Sequence, residues 1–283
     1  MAAVYLTALI SMLVNALLLL FLLRSIGLQV SIGRVILAKS LSTFYALILP
    51  GDIFAGVAKW ADLSAATGDK ARVLSALIFS KIAFAVPPLI IGSMALAASN
   101  PFPENDLTFA AISMAVAVIT VAVLILHPAS GRRIDGYVSA ALHSAPDFLR
   151  TRGQSLLTAV GDFRGMKASG YLLALSLAFL VSAIGIVGLS LAAKAGGVTV
   201  PLSTFFWVSM FLFISRLLPL TVGNLGIREG ILVLSFGLYG VEPANAVLVG
   251  LLMFSSVFII AAVGAGYQIA ITMGWLKWNI SKK

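Results

Sequence analysis

Long apolar stretches separated by short polar segments run along nearly the whole chain. About 20 consecutive apolar residues suffice for an α-helix to cross the hydrocarbon core of a bilayer. Five stretches reach that length and are nearly free of charge, so each is predicted to be a full transmembrane helix. They are residues 4–23, 73–98, 107–126, 171–193 and about 247–271.

The basic residues are concentrated in three segments, and this distribution predicts the topology. Residues 24–72 and 128–168 contain six lysines or arginines each, and Lys277, Lys282 and Lys283 lie at the C-terminal end. The connections at 99–106 and 194–200, by contrast, carry only Glu104, Asp106 and Lys194. Because positively charged loops are retained in the cytoplasm, the three basic segments are predicted to be cytoplasmic and the N-terminus external.

A shorter apolar segment, residues 35–49, ends at Pro50, Gly51 and Asp52. If it crossed the membrane fully, the basic residues before it and after it would lie on opposite sides, against the positive-inside rule. It is therefore predicted to enter from the cytoplasm, break at the proline and glycine, and return through about residues 53–66.

Residues 201–218 form a second apolar segment of this kind. They are predicted to enter from outside, break over residues 219–226 and return through about 228–239. The returning arm would form about 18 Å of helix, which is too short for a hydrocarbon core of about 30 Å. The sequence thus predicts two re-entrant hairpins that enter from opposite faces.

The two hairpins also resemble each other in sequence, although shared apolar composition is an alternative explanation. Because one starts inside and the other outside, the likeness predicts an inverted repeat, an arrangement that places transporter sites between broken helices. The predicted fold is an all-α polytopic membrane protein, a single domain over residues 1–283, with about five full transmembrane helices and two oppositely oriented re-entrant hairpins. The matching positions are Leu49-Pro50 with Leu218-Pro219, Lys59 with Arg228, Gly68 with Gly240, and residues 73–80 with 248–255.

Composition and charge agree with an inner (plasma) membrane protein that crosses the bilayer several times. The 283 residues are 60% hydrophobic and 10% charged, and cysteine is absent. The formal net charge of +9 lies largely on the predicted cytoplasmic segments, where it suits anionic lipid head groups, so no nucleic-acid partner is expected. Within residues 128–168, apolar and basic residues alternate. This pattern predicts short interfacial helices or, equally, a solvated loop with apolar anchors.

The break of the second hairpin carries the strongest candidate chemistry. A helix N-terminus offers free N–H groups and the positive end of the helix dipole to an anion, and a guanidinium adds a planar fork for phosphate. These residues are predicted to hold an anionic lipid head group. In the alternative, Glu229 neutralises Arg228 or Arg216 in a structural pair. The candidate residues are Arg216, Gly223, Asn224, Gly226, Arg228 and Glu229.

The first hairpin and the helix after it supply four further candidates: Pro50, Asp52, Lys59 and Lys81. Asp52 follows the predicted break and is either a binding residue or the cap of the returning arm. Lys81 lies nine residues beyond Arg72, about 13 Å deeper along its helix, too far for easy snorkelling. It is predicted to face the interior, as a counter-charge on the lipid path or as a partner of Glu229 or a helix carbonyl.

Catalytic patterns are poor in this sequence. His127 and His143 border the cytoplasmic loop without carboxylates at ligand spacing, and the serines have no accompanying base. No catalytic residue, metal site or cofactor is therefore predicted, and the protein is not expected to be an enzyme.

Two motifs resemble those of the lysylphosphatidylglycerol synthase transmembrane family, also described as flippase-like. Leu217-Leu-Pro-Leu-Thr-Val-Gly-Asn-Leu-Gly-Ile-Arg-Glu-Gly230, followed by Gly240-Val241, is similar to the family's signature, and Leu49-Pro-Gly-Asp-Ile-Phe-Ala-Gly-Val-Ala-Lys-Trp60 is similar to its N-terminal motif. The N-terminal motif departs from the family's pattern, because the family's acidic residue is absent beside Gly56 unless Asp52 replaces it.

The resemblance implies a membrane module that binds or moves polar lipids between leaflets, in some members fused to an aminoacyl-transferase domain. The expected partners are membrane phospholipids with anionic or aminoacylated head groups, or lipid-linked ones. The alternative is a non-transporting membrane partner that docks a separate lipid-modifying transferase through the basic face of residues 128–168. Homo-oligomerisation stays open.

Overall fold

The computed structural model describes residues 1–49, 52–102, 107–126, 128–143, 154, 161–217 and 221–275. Within these ranges the chain forms ten α-helices and one 3-10 turn, and it has no β-strand. The helices are α1 (Ala2–Ser25), α2 (Ile32–Ile48), α3 (Asp52–Thr67), α4 (Lys70–Ser99), α5 (Leu107–Leu126), α6 (Pro128–His143), α7 (Ala168–Ala195), α8 (Leu202–Leu217), α9 (Ile227–Gly237) and α10 (Pro243–Thr272), with the 3-10 turn at Val222–Asn224.

Four of these helices, α1, α4, α7 and α10, are long and apolar enough to cross a membrane. The fifth predicted span forms α5, a helix of 20 residues, within which Thr108–Thr120 is a shorter apolar segment. The prediction of an all-α, multi-pass membrane protein is confirmed.

Helices α2 and α3 form the first hairpin. Their legs run antiparallel: the Ser42 hydroxyl donates to the Ala55 carbonyl over 2.7 Å near the break, and Arg34 donates to Asp62 over 2.7 Å at the open end. With 17 and 16 residues, each leg is about 25 Å long, less than a hydrocarbon core of about 30 Å. The lengths therefore agree with a re-entrant pair.

Helices α8 and α9 form the second hairpin. Asn224 in the break bonds Ser215 near the end of α8, while Phe205 near its start contacts Phe236 near the end of α9, with ring centroids 6.2 Å apart. These two contacts show that the legs are antiparallel. The connection is longer than in the first hairpin and contains the 3-10 turn.

Eight of the ten described helices form two units of four that run in opposite directions, α1–α4 and α7–α10, with α5 and α6 between them in sequence. Thr7 near the start of α1 lies against Gly188 near the end of α7. The end of α1 shares a buried core with Ala174 and Ala178 near the start of α7. Helices α1 and α7 are therefore antiparallel, and the units that they open are inverted relative to each other.

Packing between the units repeats in the same inverted sense. Helix α2 packs on α10, and its counterpart α8 packs on α4. Each contact includes a glycine: a Cβ added to Gly264 would lie 2.1 Å from the carbonyl oxygen of Ser40, and one added to Gly92 would lie 2.3 Å from Cβ of Met210. A larger residue at either position would clash with the facing helix. The helix packing thus follows the predicted inverted repeat.

The buried apolar residues form two clusters, one around each hairpin. The first unites α2 and α3 with the end of α1 and the starts of α4 and α7. The second unites α8 and α9 with the ends of α4 and α7, with α5 and with the start of α10. The region between the two clusters is where the candidate site lies.

Part of the loop between α5 and α7 is anchored to the helices. Helix α6 lies in it, and Arg164 forms an ion pair with Asp135 on α6, whose carboxylate raises the pKa of the guanidinium. Phe163 is buried and stacks on Phe79 of α4 with ring centroids 4.4 Å apart. A helix and an apolar anchor are thus both present among the described residues of this segment, and the interfacial placement of the helix stays a prediction.

Candidate functional site

The break of the second hairpin adopts a backbone that few residue types tolerate. Gly223, Asn224 and Gly226 have φ angles of 59°, 58° and 83°, in the left-handed region that glycine and asparagine enter most readily. The Asn224 amide also donates to the Ser215 hydroxyl over 2.8 Å. A Cβ added to Gly223 would lie 3.0 Å from the Phe254 ring and 3.7 Å from Leu47. This break therefore lies against α10 and the end of α2.

Arg228 and Glu229, at the start of α9, form a buried ion pair. The guanidinium donates to Glu229 Oε1 through Nε at 2.9 Å and Nη2 at 2.5 Å, and it lies 5.2 Å from the centroid of the Phe254 ring. Glu229 Oε2 accepts the Gly226 N–H at 2.7 Å. The carboxylate thus supplies the anion that the N-terminus of a helix favours. The pair predicted as the alternative is formed, with Arg228 as the partner of Glu229.

A cavity of about 410 Å³ lies between the two units, bounded by α1, α4, α7, α8 and α10. Its wall is largely apolar but includes two cations and several neutral polar groups. The polar lining residues are Ser11, Asn15, Lys81, Ser182, Ser209 and Arg216. None of the described residues that line it is acidic.

Both cations lie far from the ends of the helical bundle. Lys81 is 11 residues into α4, about 16 Å along its axis, and Arg216 is 14 residues beyond the start of α8, about 21 Å along. Lys81 makes no hydrogen bond or ion pair with any residue that the structure describes. Charged groups at such depth are costly unless they are paired or face a wet cavity, and both of these side chains face the cavity.

The polar lining continues beyond the cavity through Asn15. Lys39 Nζ on α2 donates to Asn15 Oδ1. Because Oδ1 is the acceptor of this bond, the hydrogens of the Asn15 amide are donors. The first hairpin therefore contacts a residue of the cavity wall without lining the cavity itself.

Nearly two turns beyond Lys81, helix α4 contains Pro87 and Pro88, both buried. Proline has no N–H to donate to the carbonyl four residues earlier, so the carbonyls of Ala83 and Phe84 lose their usual partners. Phe84 and Pro88 both line the cavity. The helix thus has a weakened hydrogen-bond ladder along the cavity wall.

The profile described as the lysylphosphatidylglycerol synthase TM region matches residues 1–264. The chain belongs to this family. The match confirms the resemblance of the two break motifs and places the protein among membrane proteins of lipid metabolism or transport. Neither a curated protein nor a solved structure matches the chain significantly.

The candidate residues taken from the sequence fall into separate places in this family member. Lys81 and Arg216 line the cavity together, as candidates for a lipid path should. Arg228, Glu229 and Gly226 form the hydrogen-bonded start of α9 instead, while Gly223 and Asn224 shape the break. Lys81 does not pair with Glu229, because Arg228 occupies that carboxylate.

Of the three candidates on the first hairpin, Lys59 is described, whereas Pro50 and Asp52 are not or only in part. Lys59 is half-buried on α3, and Asp52 is the first residue of that helix. Pro50 and the side chain of Asp52 lie outside the described residues, so the proposed cap of α3 stays a prediction. The end of α2 reaches the second hairpin, because Leu47 lies beside Gly223.

A buried cluster on the first hairpin was missed by the sequence analysis. Asp62 on α3 is fully buried and accepts from Arg34 on α2 at 2.7 Å and from the Tyr267 hydroxyl on α10 at 2.9 Å. The Arg34 guanidinium also lies 5.7 Å from the centroid of the Tyr267 ring. Asp62 is the acidic residue inside the predicted returning arm, and that isolation in an apolar segment was the available signal.

Metal chemistry finds no support in the part of the chain that the structure describes. No group of three or more His, Cys, Asp or Glu side chains is close enough there to hold an ion. His143, considered above as a ligand, is exposed at the end of α6, and His127 lies outside the described residues.

Proposed function

We propose that this protein is a lipid translocase that accepts polar head groups in the cavity between its two inverted units, without changing the lipid covalently. The observation that carries the proposal is that Lys81 and Arg216 both line the cavity. Membership in the lysylphosphatidylglycerol synthase TM family supports a role with lipids, and inverted repeats around a central site are the usual architecture of transporters.

In this mechanism the head group enters the cavity while the acyl chains stay in the surrounding lipid. The two cations and the neutral polar residues replace part of the water that the head group leaves, which lowers the cost of crossing. Rocking of one unit against the other would then expose the cavity to each side in turn. The transfer is driven by the lipid gradient or by an ion gradient.

Replacing Lys81 and Arg216 by glutamine, singly and together, tests the proposal. Transfer of a fluorescent phospholipid between the leaflets of proteoliposomes should fall about tenfold or more in the double variant, because each lost charged contact weakens binding in a low-dielectric site. Lys194→Gln, at the exposed end of α7, is the matched control and should transfer normally.

Thermal unfolding of each variant separates loss of function from loss of fold. The proposal is wrong if the double variant is folded and still transfers lipid at the wild-type rate. It is equally wrong if the wild-type protein moves no phospholipid faster than vesicles without protein.

A second candidate is a non-transporting partner that docks a lipid-modifying transferase. Helix α6 favours it, because Tyr137 is 78% exposed and Arg133 beside it on the same helix is also exposed. Replacing Tyr137 by alanine and Arg133 by glutamine should abolish co-purification of such an enzyme while leaving lipid transfer unchanged. If transfer is absent and co-purification depends on α6, docking is the function.

A further inference from the structure

We propose that the cavity between the two inverted units selects phosphate head groups that carry no amino group, and so disfavours aminoacylated lipids. This inference rests on the proposed translocase function and narrows its substrate class. It differs from what the family's description alone would suggest, because lysylphosphatidylglycerol has a cationic head group and this cavity is lined by cations.

The charges on the wall are of one sign among the described lining residues. Lys81 contributes an ammonium and Arg216 a guanidinium, whose planar fork suits two phosphate oxygens. A lysyl ester would add two ammonium groups to a phosphodiester, giving the head group a net positive charge. Like charges repel, so this head group would be disfavoured.

An amino group would also need an acidic partner, and the buried acids are engaged elsewhere. Asp62 and Glu229 are the buried carboxylates of the described chain. Asp62 accepts from Arg34 and Tyr267, and Glu229 accepts from Arg228 and from the Gly226 N–H. Neither lines the cavity.

Asn15 adds a neutral group of matching polarity. Its carbonyl oxygen accepts from Lys39 Nζ, which assigns the orientation of the amide and leaves N–H donors for a ligand. Donors fit phosphate oxygens, whereas an ammonium group would need acceptors. The neutral part of the wall and its charged part therefore favour the same ligand.

The test compares two lipids with identical acyl chains in proteoliposomes of the full chain: fluorescent phosphatidylglycerol and its lysyl ester. Wild-type protein should move phosphatidylglycerol about tenfold faster or more. Lys81→Gln should reduce that preference, and Lys81→Glu should reverse it, because the new carboxylate would pair with the ammonium groups. Lys194→Gln should keep the wild-type preference.

The outcomes separate this inference from the function on which it rests. Equal transfer of both lipids by folded wild-type protein overturns the selectivity and leaves the translocase intact, whereas transfer of neither lipid overturns both. If Lys81→Glu does not fold, loss of the preference in Lys81→Gln decides the matter, and an unchanged preference overturns it.

Free phosphate offers the same chemistry as a phosphate head group, and a separate arm distinguishes the two sources. Proteoliposomes should take up no more radiolabelled inorganic phosphate than vesicles without protein. Uptake that depends on Lys81 and Arg216 would show that the cavity carries the soluble anion, and the lipid assignment would then be wrong.

Discussion

The ion pair of the first hairpin lies at the open end of its two helices, whereas the ion pair of the second hairpin lies at its break. In the first, Asp62 joins Arg34 and Tyr267, so one carboxylate links α2, α3 and α10. In the second, Glu229 joins its neighbour Arg228 and the N–H of Gly226. The first ion pair and the Tyr267 hydrogen bond together connect three helices, whereas the second ion pair organises a single turn.

Helix α10 contacts both ion pairs and shows how far apart they lie. A Cβ added to Gly250 would lie 2.8 Å from Glu229 Oε1, while Tyr267 reaches Asp62. The 17 residues between these positions correspond to about 26 Å along the helix. The two pairs are therefore too distant to interact directly, and each stabilises its own hairpin.

The surroundings of the two arginines differ more than the number of hydrogen-bond partners in the two ion pairs. The side chain of Arg34 is 25% exposed, whereas that of Arg228 is 7% exposed. A long basic side chain near the end of a bundle can extend to water or head groups when its partner is lost, but one enclosed by protein cannot. From this comparison we expect that enclosure, rather than the number of hydrogen bonds, decides how costly it is to break each pair.

Of the two variants that remove a paired carboxylate, Glu229→Ala should cause the larger loss of stability. It leaves the Arg228 guanidinium buried without a counter-charge and also removes the acceptor for the Gly226 N–H. Breaking a buried ion pair from one side costs about 3 to 5 kcal/mol. Unfolding by sodium dodecyl sulfate in mixed micelles measures the loss, with exposed Glu242→Ala as the control.

The double variant Arg228→Met with Glu229→Leu sharpens this expectation. With both charges gone, apolar side chains of similar size should restore much of the stability. If the double variant is no more stable than Glu229→Ala, the carboxylate acts mainly on the backbone of the break, and the uncompensated charge is not the cause.

Gly264→Ala should come next, because it disturbs the contact between α10 and the first hairpin. The added Cβ would lie 2.1 Å from the Ser40 carbonyl oxygen, a backbone atom that can move only with its helix. Overpacking of this kind costs about 1 to 3 kcal/mol. Gly266→Ala is the matched control, since nothing lies within 4 Å of its added Cβ. Equal stability of the two variants would show that α2 and α10 separate easily.

The hairpins themselves were predictable from sequence, because breaks and charges carry strong signals. Pro50 and Pro219 interrupt apolar segments, and the basic residues around residues 35–49 argue against a full crossing. Lys81 and Arg216 were identified for the same reason, since a charge in an apolar helix is conspicuous. The helix packing then followed the predicted inverted repeat.

The rest of the candidate site depends on tertiary contacts that no local pattern records. Asn15 and Ser182 are neutral polar residues in apolar helices, where such residues are common, and only the packing of α1 and α7 brings them to one cavity. Tyr267 lies 205 residues from Asp62. The partner of Glu229 was ambiguous as well, because several cations were candidates until the geometry showed Arg228.

Asp62→Ala should cost less than Glu229→Ala, about 2 kcal/mol, because Arg34 can reach polar surroundings once released. Arg34→Ala should cost more than Asp62→Ala, since it leaves a carboxylate that is 0% exposed without its cation. Unfolding in the same micelles measures both. If Asp62→Ala is the more damaging of the two, exposure of the remaining charge does not govern the cost.

Tyr267→Phe should have the smallest effect, and it tests how far the Arg34–Asp62 ion pair depends on α10. The change removes one hydrogen bond of 2.9 Å to Asp62 Oδ1 but keeps the ring beside the Arg34 guanidinium. The ion pair remains, so the expected loss is about 1 kcal/mol, measured against Tyr137→Phe, whose side chain is exposed on α6. A loss as large as that of Asp62→Ala would mean that the hydroxyl from α10 holds the cluster together. The first hairpin would then be held mainly by its contact with α10. Its contrast with the second hairpin, which Glu229 stabilises locally, would be stronger than the ion pairs alone indicate.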